Sequence, residues 1–259
     1  MIQPIVYTMD SLPQEILLVI FSFMKSHYSI ACTCKYIHSI FKKNIHPSDA
    51  QVISIFARMK PLCAVEKVIE DKHSNLAAGN NAPLIATASH GNISLLKRLL
   101  SDPRVKITNT ALKVAAAKGH YDIVLLLLKH GCFTNEAVKE AASNGHNHVL
   151  QLLIDDGRFD TTCAIIHASE NGHHKTVRLL MSYPHINPAI FNNLALTYAA
   201  ANGHHKVVQA LLEDPRVNPS DRNNFALYFA IKNKRKKVIK LLRKHISWSV
   251  FLKHKLFTK

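Results

Sequence analysis

Apolar residues in this chain recur in short pairs rather than in long runs. Leu95-Leu96 is followed by Leu99-Leu100, Ile123-Val124 by Leu127-Leu128, Val149-Leu150 by Leu153-Ile154, and Val207-Val208 by Leu211-Leu212. Positions i, i+1, i+4 and i+5 share one side of a helix, so each group predicts a short amphipathic helix with a single apolar stripe. A glycine precedes each stripe, and a fifth, Gly172, shares the pattern: Gly91, Gly119, Gly145, Gly172 and Gly203, with Asn233 read in that place in a sixth copy. The anchors lie 28, 26, 27, 31 and 30 residues apart. The stripe is weakened by Thr176 in the fourth copy and by Lys237 in the sixth.

The residues around the anchor repeat as well. Three before it the side chain is small: Ala88, Ala116, Ala142, Ser169, Ala200 and Ala230. A small residue there lets two helices approach closely. Ten before it stands a capping type (Asn81, Asn109, Asn135, Thr162, Asn193 or Asn223), expected to accept from a free N–H in the first turn of its helix. Twelve after it comes a breaker, Pro103, Gly131, Gly157, Pro184 or Pro215, and two residues later an apolar side chain: Val105, Phe133, Phe159, Ile186 or Val217. Each unit therefore reads as helix, turn, helix and bent loop. One such unit cannot cover its own stripe, so neighbours must stack, and the predicted fold is an all-α solenoid.

This pattern resembles the ankyrin repeat, most clearly in ALTYAAANGHHKVVQALL (195–212), and the resemblance spans roughly 80–245. Only Pro83-Leu84 and Thr110 echo the family's T-P-L-H opening, and Ala111, Ala137, Ala164 and Ala195 stand where Pro is usual. The units are also shorter than the usual ~33 residues, which implies trimmed hairpin loops. A degenerate unit at about 50–76 fits if Lys60 replaces the anchor and Ala64, Val65, Val68 and Ile69 form the stripe, giving about six to seven short repeats. By the resemblance, a protein target would meet the first-helix face and the preceding loop. In register these are Lys113, Lys118, Lys139, Glu140, Asn144, His167, Glu170, Asn171, Tyr198, Asn202, Tyr228 and Lys232. Their mix of Tyr, Asn and charge suits protein recognition better than a small-molecule pocket.

Residues 11–45 fall outside this register. SLPQEILLVIFSFM has capping-box spacing at Ser11 and Gln14, with Pro13 in the first turn where its missing N–H does no harm. Periodicity alone reads it as a helical cap on the solenoid. Leu12-Pro13-x-Glu15-Ile16, then Ile20-Phe21-Ser22-Phe23 and CKYIHSI (34–40), also looks like an F-box. That resemblance implies that Leu12, Pro13, Ile16, Ile20 and Phe23 dock on a Skp-type adaptor of a cullin ubiquitin ligase. The expected organisation is an F-box-like helical segment at 1–48, the solenoid at 49–245 and a basic cap or tail at 246–259. The pairing of F-box and ankyrin resembles proteins of large DNA viruses, which implies a viral protein in the host-cell cytoplasm or nucleus.

Composition narrows the function classes. The net charge is +16, and 222–259 carries twelve Lys/Arg with no acidic residue, including KNKRKK (232–237). A terminal repeat needs a solvated outer face; the same cluster also suits nuclear localisation or binding to a polyanion such as nucleic acid. The partner is thus an unidentified protein target, an acidic one being favoured by charge, with nucleic acid as the alternative. Five cysteines without a C-x-x-C pair suggest reduced thiols in the cytoplasm or nucleus. No signal peptide is visible, and the longest apolar runs fall short of the ~20 residues of a membrane span. The histidines after the anchors (His120, His146, His173, His204) sit one per repeat. Stacked helices lie about 8–10 Å apart, too far for adjacent copies to share an ion with bonds near 2 Å. A structural role, bonding backbone groups at the turn, is expected, and no metal or cofactor is. No hydrolase, metalloprotease or nucleotide-binding motif occurs, so the chain is not expected to be an enzyme.

Overall fold

The computed structural model describes residues 78–246. The F-box-like segment, the degenerate unit at 50–76 and the tail from 247 lie outside the described residues.

Twelve helices follow one another with no strand among the described residues. They form six pairs: α1 (Ala78–His90) with α2 (Ile93–Leu100), α3 (Asn109–Lys118) with α4 (Tyr121–Lys129), and α5 (Glu136–Ser143) with α6 (Asn147–Asp156). The series continues with α7 (Ala164–Glu170) and α8 (His174–Met181), α9 (Ile190–Asn202) and α10 (His205–Leu212), and α11 (Asp221–Lys232) and α12 (Lys236–His245). First helices pack on first helices and second on second, as a linear stack requires.

The predicted stripes are the core. Ile123, Val124, Leu127, Leu128, Val149, Leu150, Leu153 and Ile154 are all buried, each worth roughly 1.5–3 kcal/mol of removal from water. Thr176 is buried too, and its hydroxyl donates to Asn147 Oδ1 of the preceding repeat at 2.7 Å, so the polar interruption is satisfied. Ala88, Ala116, Ala142, Ser169 and Ala200 are 0% exposed, which fits the close approach expected of small residues.

Every inter-helix turn is built the same way. The residue after the anchor sends its N–H back to the first helix: His120 to Ala115 O, His146 to Ala141 O, His173 to Ala168 O and His204 to Ala199 O, at 2.9–3.0 Å. This bond closes only if the anchor adopts the left-handed conformation, and Gly145 does so with φ +73°.

Two sequence expectations need correction. In the sixth copy the left-handed residue is Lys234 (φ 57°), not Asn233, and the matching bond runs from Arg235 N to Ala230 O. The register there is one residue later than read, so the stripe falls on buried Val238 and Leu242 and not on Lys237, which is exposed. It also puts Ile231, 48% exposed, in the place of the small residues. Second, the capping-type asparagines do not cap their own helices. The Oδ1 atoms of Asn81, Asn109, Asn135 and Asn193 accept the backbone N–H of Lys106, Phe133, Asp160 and Asn218, in the loop 24 or 25 residues on. Each asparagine thereby pins the loop leading to the next repeat. Asn81 and Asn193 are themselves left-handed, a conformation asparagine tolerates better than most side chains. In the second of these loops Phe133 is exposed and packs at a tilt against Phe159 with centroids 5.0 Å apart, while Cys132 beside it is buried. Burial pushes the Cys132 thiol up to about 11.

Candidate protein-recognition surface

The loops between pairs are fastened locally, which fixes how the first helices are presented. Asp102 and Arg104, Asp156 and Arg158, and Asp214 and Arg216 form two-pronged ion pairs at i, i+2, with contacts of 2.6–3.0 Å. The hydrogen-bonding arginine beside each carboxylate holds it below the usual range. In the last two loops Asn187 and Asn218, each before a proline, accept the N–H two residues on at 3.0 Å. Asn193, Asn218 and Asp221 then join in one polar cluster.

Between repeats the turn histidines act as crossbars. Nε2 of His120, His146, His173 and His204 bonds to the carbonyls of Ser89, Ala117, Ser143 and Glu170 in the preceding repeat, at 2.8–2.9 Å. A carbonyl only accepts, so each ring carries a proton on Nε2. The ring lies under the preceding anchor: a Cβ on Gly145 would sit 2.6 Å from His173 Nδ1. The last joint differs, with Arg235 Nε bonding Ala201 O at 3.0 Å and its side chain packing under Gly203. In the first described repeat Asn92 occupies the histidine's place and caps its own helix by accepting from Leu95 N at 3.1 Å. Among the described residues no group of three or more His, Cys, Asp or Glu could hold a metal ion.

On this frame the residues assigned to target binding fall on four successive first helices and α11. Lys113 is half-buried and pairs with Glu136; Lys118 and Lys139 are exposed, and Glu140 is half-buried. His167 is half-buried 4.0 Å from Glu170, and desolvation, reinforced by Lys139, lowers its pKa. The amides of Asn144 and Asn171 donate to their own helices, at Glu140 O and His167 O, and that of Asn202 crosses to Glu170 O. These three are braces as well as surface. Tyr198 and Tyr228 are exposed, and Lys232 lies over the Phe229 ring at 5.9 Å. Leu12, Pro13, Ile16, Ile20 and Phe23 lie outside the described residues.

Sequence reasoning missed the aromatic end of this row. Phe225 and Tyr228 are stacked with centroids 6.2 Å apart, and Phe229 meets both edge-on at 4.7 and 5.3 Å. Phe225, Tyr228 and Ile231 are all exposed. The signal was present in NFALYFAI (224–231), where an apolar residue falls on every side of a helix that needs only one stripe buried.

A stack of helix pairs joined by matching turns, with a continuous first-helix face, defines a repeat scaffold for recognising other proteins. The family model described as ankyrin repeats (3 copies) matches residues 53–138 and 185–250, together more than half of the sequence, and the chain belongs to the ankyrin-repeat family. Among solved structures it is similar to the human ASB11 ankyrin repeat domain, with a TM-score of 0.54 and 21% identity. That alignment covers 64% of this chain and 84% of the other, and it supports the fold alone. No curated protein sequence matches. Among the described residues no helix is long and apolar enough to cross a membrane.

Proposed function

We propose that this protein is a substrate receptor: the N-terminal F-box-like segment engages a Skp-type adaptor of a cullin ubiquitin ligase, and the repeat stack holds a target protein. Proximity does the rest, because tethering converts encounter between ligase and target into an intramolecular event. The observation that carries the target-binding half is the row from Lys113 to Lys232. It ends in exposed Phe225 and Tyr228, and aromatic residues flanked by polar ones are the usual centre of protein interfaces. The adaptor half rests on Leu12, Pro13, Ile16, Ile20 and Phe23, by their resemblance to the F-box. Under this reading the protein is a non-enzymatic adaptor of the kind found in large DNA viruses, acting in the host-cell cytoplasm or nucleus.

Affinity purification of the full chain tests it. Wild type should recover a Skp-type adaptor, and the double substitution Leu12→Ala/Pro13→Ala should lower that recovery at least tenfold while leaving the repeat stack folded. If wild type recovers no such adaptor, the ligase role fails and the chain is a plain repeat scaffold.

A further inference from the structure

The charge of the chain is concentrated at one end of the stack. From Ala78 to Asp221 there are thirteen Lys/Arg against eleven Asp/Glu, whereas from Arg222 to Ile246 there are nine Lys/Arg and no acidic residue. Five of the nine, Lys236, Lys237, Lys240, Arg243 and Lys244, belong to α12, and all five are exposed. At 100° per residue they fall within about a third of the helix circumference, spread over about 12 Å of its length. Val238 and Leu242, on the opposite side, are fully buried against the stack.

This placement works against helix stability. Arg235 caps the helix, Lys236 and Lys237 occupy its first turn, and no acidic residue stands there, so cations face the positive end of the helix dipole. Lys236–Lys240 and Lys240–Lys244 are like-charged i, i+4 pairs, which repel. Elsewhere cations and carboxylates are interspersed, and several are paired: Lys113 with Glu136, Arg178 with Glu213, and the three loop arginines with their aspartates. Among the described residues Lys236, Lys237, Lys240 and Lys244 have no carboxylate partner.

We propose that the outer face of α12 binds the phosphate backbone of duplex nucleic acid. A protein interface would need an apolar centre, and none of the exposed large apolar side chains lies on α12. Insertion into a membrane surface would need a free apolar face, and that of α12 is turned into the core. What remains is a row of ammonium and guanidinium groups, the complement of a regular polyanion. With no exposed aromatic on α12 to stack on bases, the binding is independent of sequence and accepts a double strand.

Fluorescence anisotropy of the full chain with a 20-base-pair DNA duplex of arbitrary sequence, titrated from 50 to 200 mM salt, reads this directly. Up to five phosphate contacts give a slope of log K against log salt near −4.5, at about −0.9 per contact. Lys236→Gln/Lys240→Gln/Lys244→Gln should reduce the slope by about 3 and weaken binding by nearly three orders of magnitude (about 10^2.7) at 0.1 M salt. Lys129→Gln/Lys175→Gln/Lys206→Gln removes the same net charge from the balanced part of the stack and should change both far less. The same titration with an RNA duplex distinguishes the two sources of backbone. No binding at 50 mM salt, equal losses in the two triple variants, or equal affinity for polyglutamate or for vesicles of anionic lipid would each overturn the proposal. Adaptor recovery does not enter, so its result stands apart from that of the ligase reading.

Discussion

Among the described residues, the four joints closed by histidine and the fifth, closed by arginine, solve one problem in two settings. At each, a carbonyl at the end of a first helix has lost its place in the helical ladder and needs a donor. In the interior a half-buried imidazole supplies it, wedged beneath a left-handed glycine. At the last joint the exposed Arg235 supplies it, and the residue that turns the chain next to it is a lysine held at positive φ. The bonds of His120, His146 and His173 are part-buried and those of His204 and Arg235 are exposed, so the arginine stands where the fit of the donor matters less.

The sharpest way to break this contrast is Gly145→Val. A side chain there meets both left-handed strain of about 1–2 kcal/mol and the His173 ring, so a loss of about 3 kcal/mol or more is expected in urea unfolding. A loss below 1 kcal/mol would show that the ring can move aside. Next, His173→Ala and Arg235→Ala can be compared under identical conditions. The first strands Ser143 O in a part-buried site and should cost about 2 kcal/mol; the second leaves Ala201 O to water and should cost about 0.5 kcal/mol. Equal costs would remove solvent access as the explanation. Smallest, and opposite in sign, is Lys234→Gly. Relief of positive φ, less the added freedom of the unfolded chain, should stabilise by about 0.5–1 kcal/mol, seen as a higher midpoint. A lower midpoint would mean that the lysine side chain contributes packing not apparent from its exposure.

Much of this architecture is legible in the residues themselves. The doubled apolar pairs and Gly119, Gly145, Gly172 and Gly203 define helix, turn and period, because one stripe and one left-handed turn have few other readings. The slip at the sixth copy has a physical cause. With no glycine present, Asn233 looks like the better left-handed residue, and only the bond from Arg235 N to Ala230 O places the turn at Lys234. The role of Asn109 was hidden for a different reason. Its partner, Phe133 N, is distant in sequence and carries no side-chain signature, and an asparagine at the start of a helix reads equally well as a cap. The candidate surface was legible only in part. Register put Tyr198 and Tyr228 on the first-helix face, but Phe225 and Phe229 look like core until the positions of the neighbouring helices show which side is left uncovered.

Because each glycine is fitted to a histidine in the following unit, the complementary pair straddles the boundary between units. Excising one whole inner unit, Gly119 through Asn144, would bring Gly145 to the place that Gly119 held, with His173 still beneath it and His146 now answering Ser89. The shortened array would keep every internal match. Cutting after Gly203 would instead leave that glycine facing empty space. Length in this protein can therefore drift by whole units from the middle of the described stack with its matches intact, whereas a cut at Gly203 loses one.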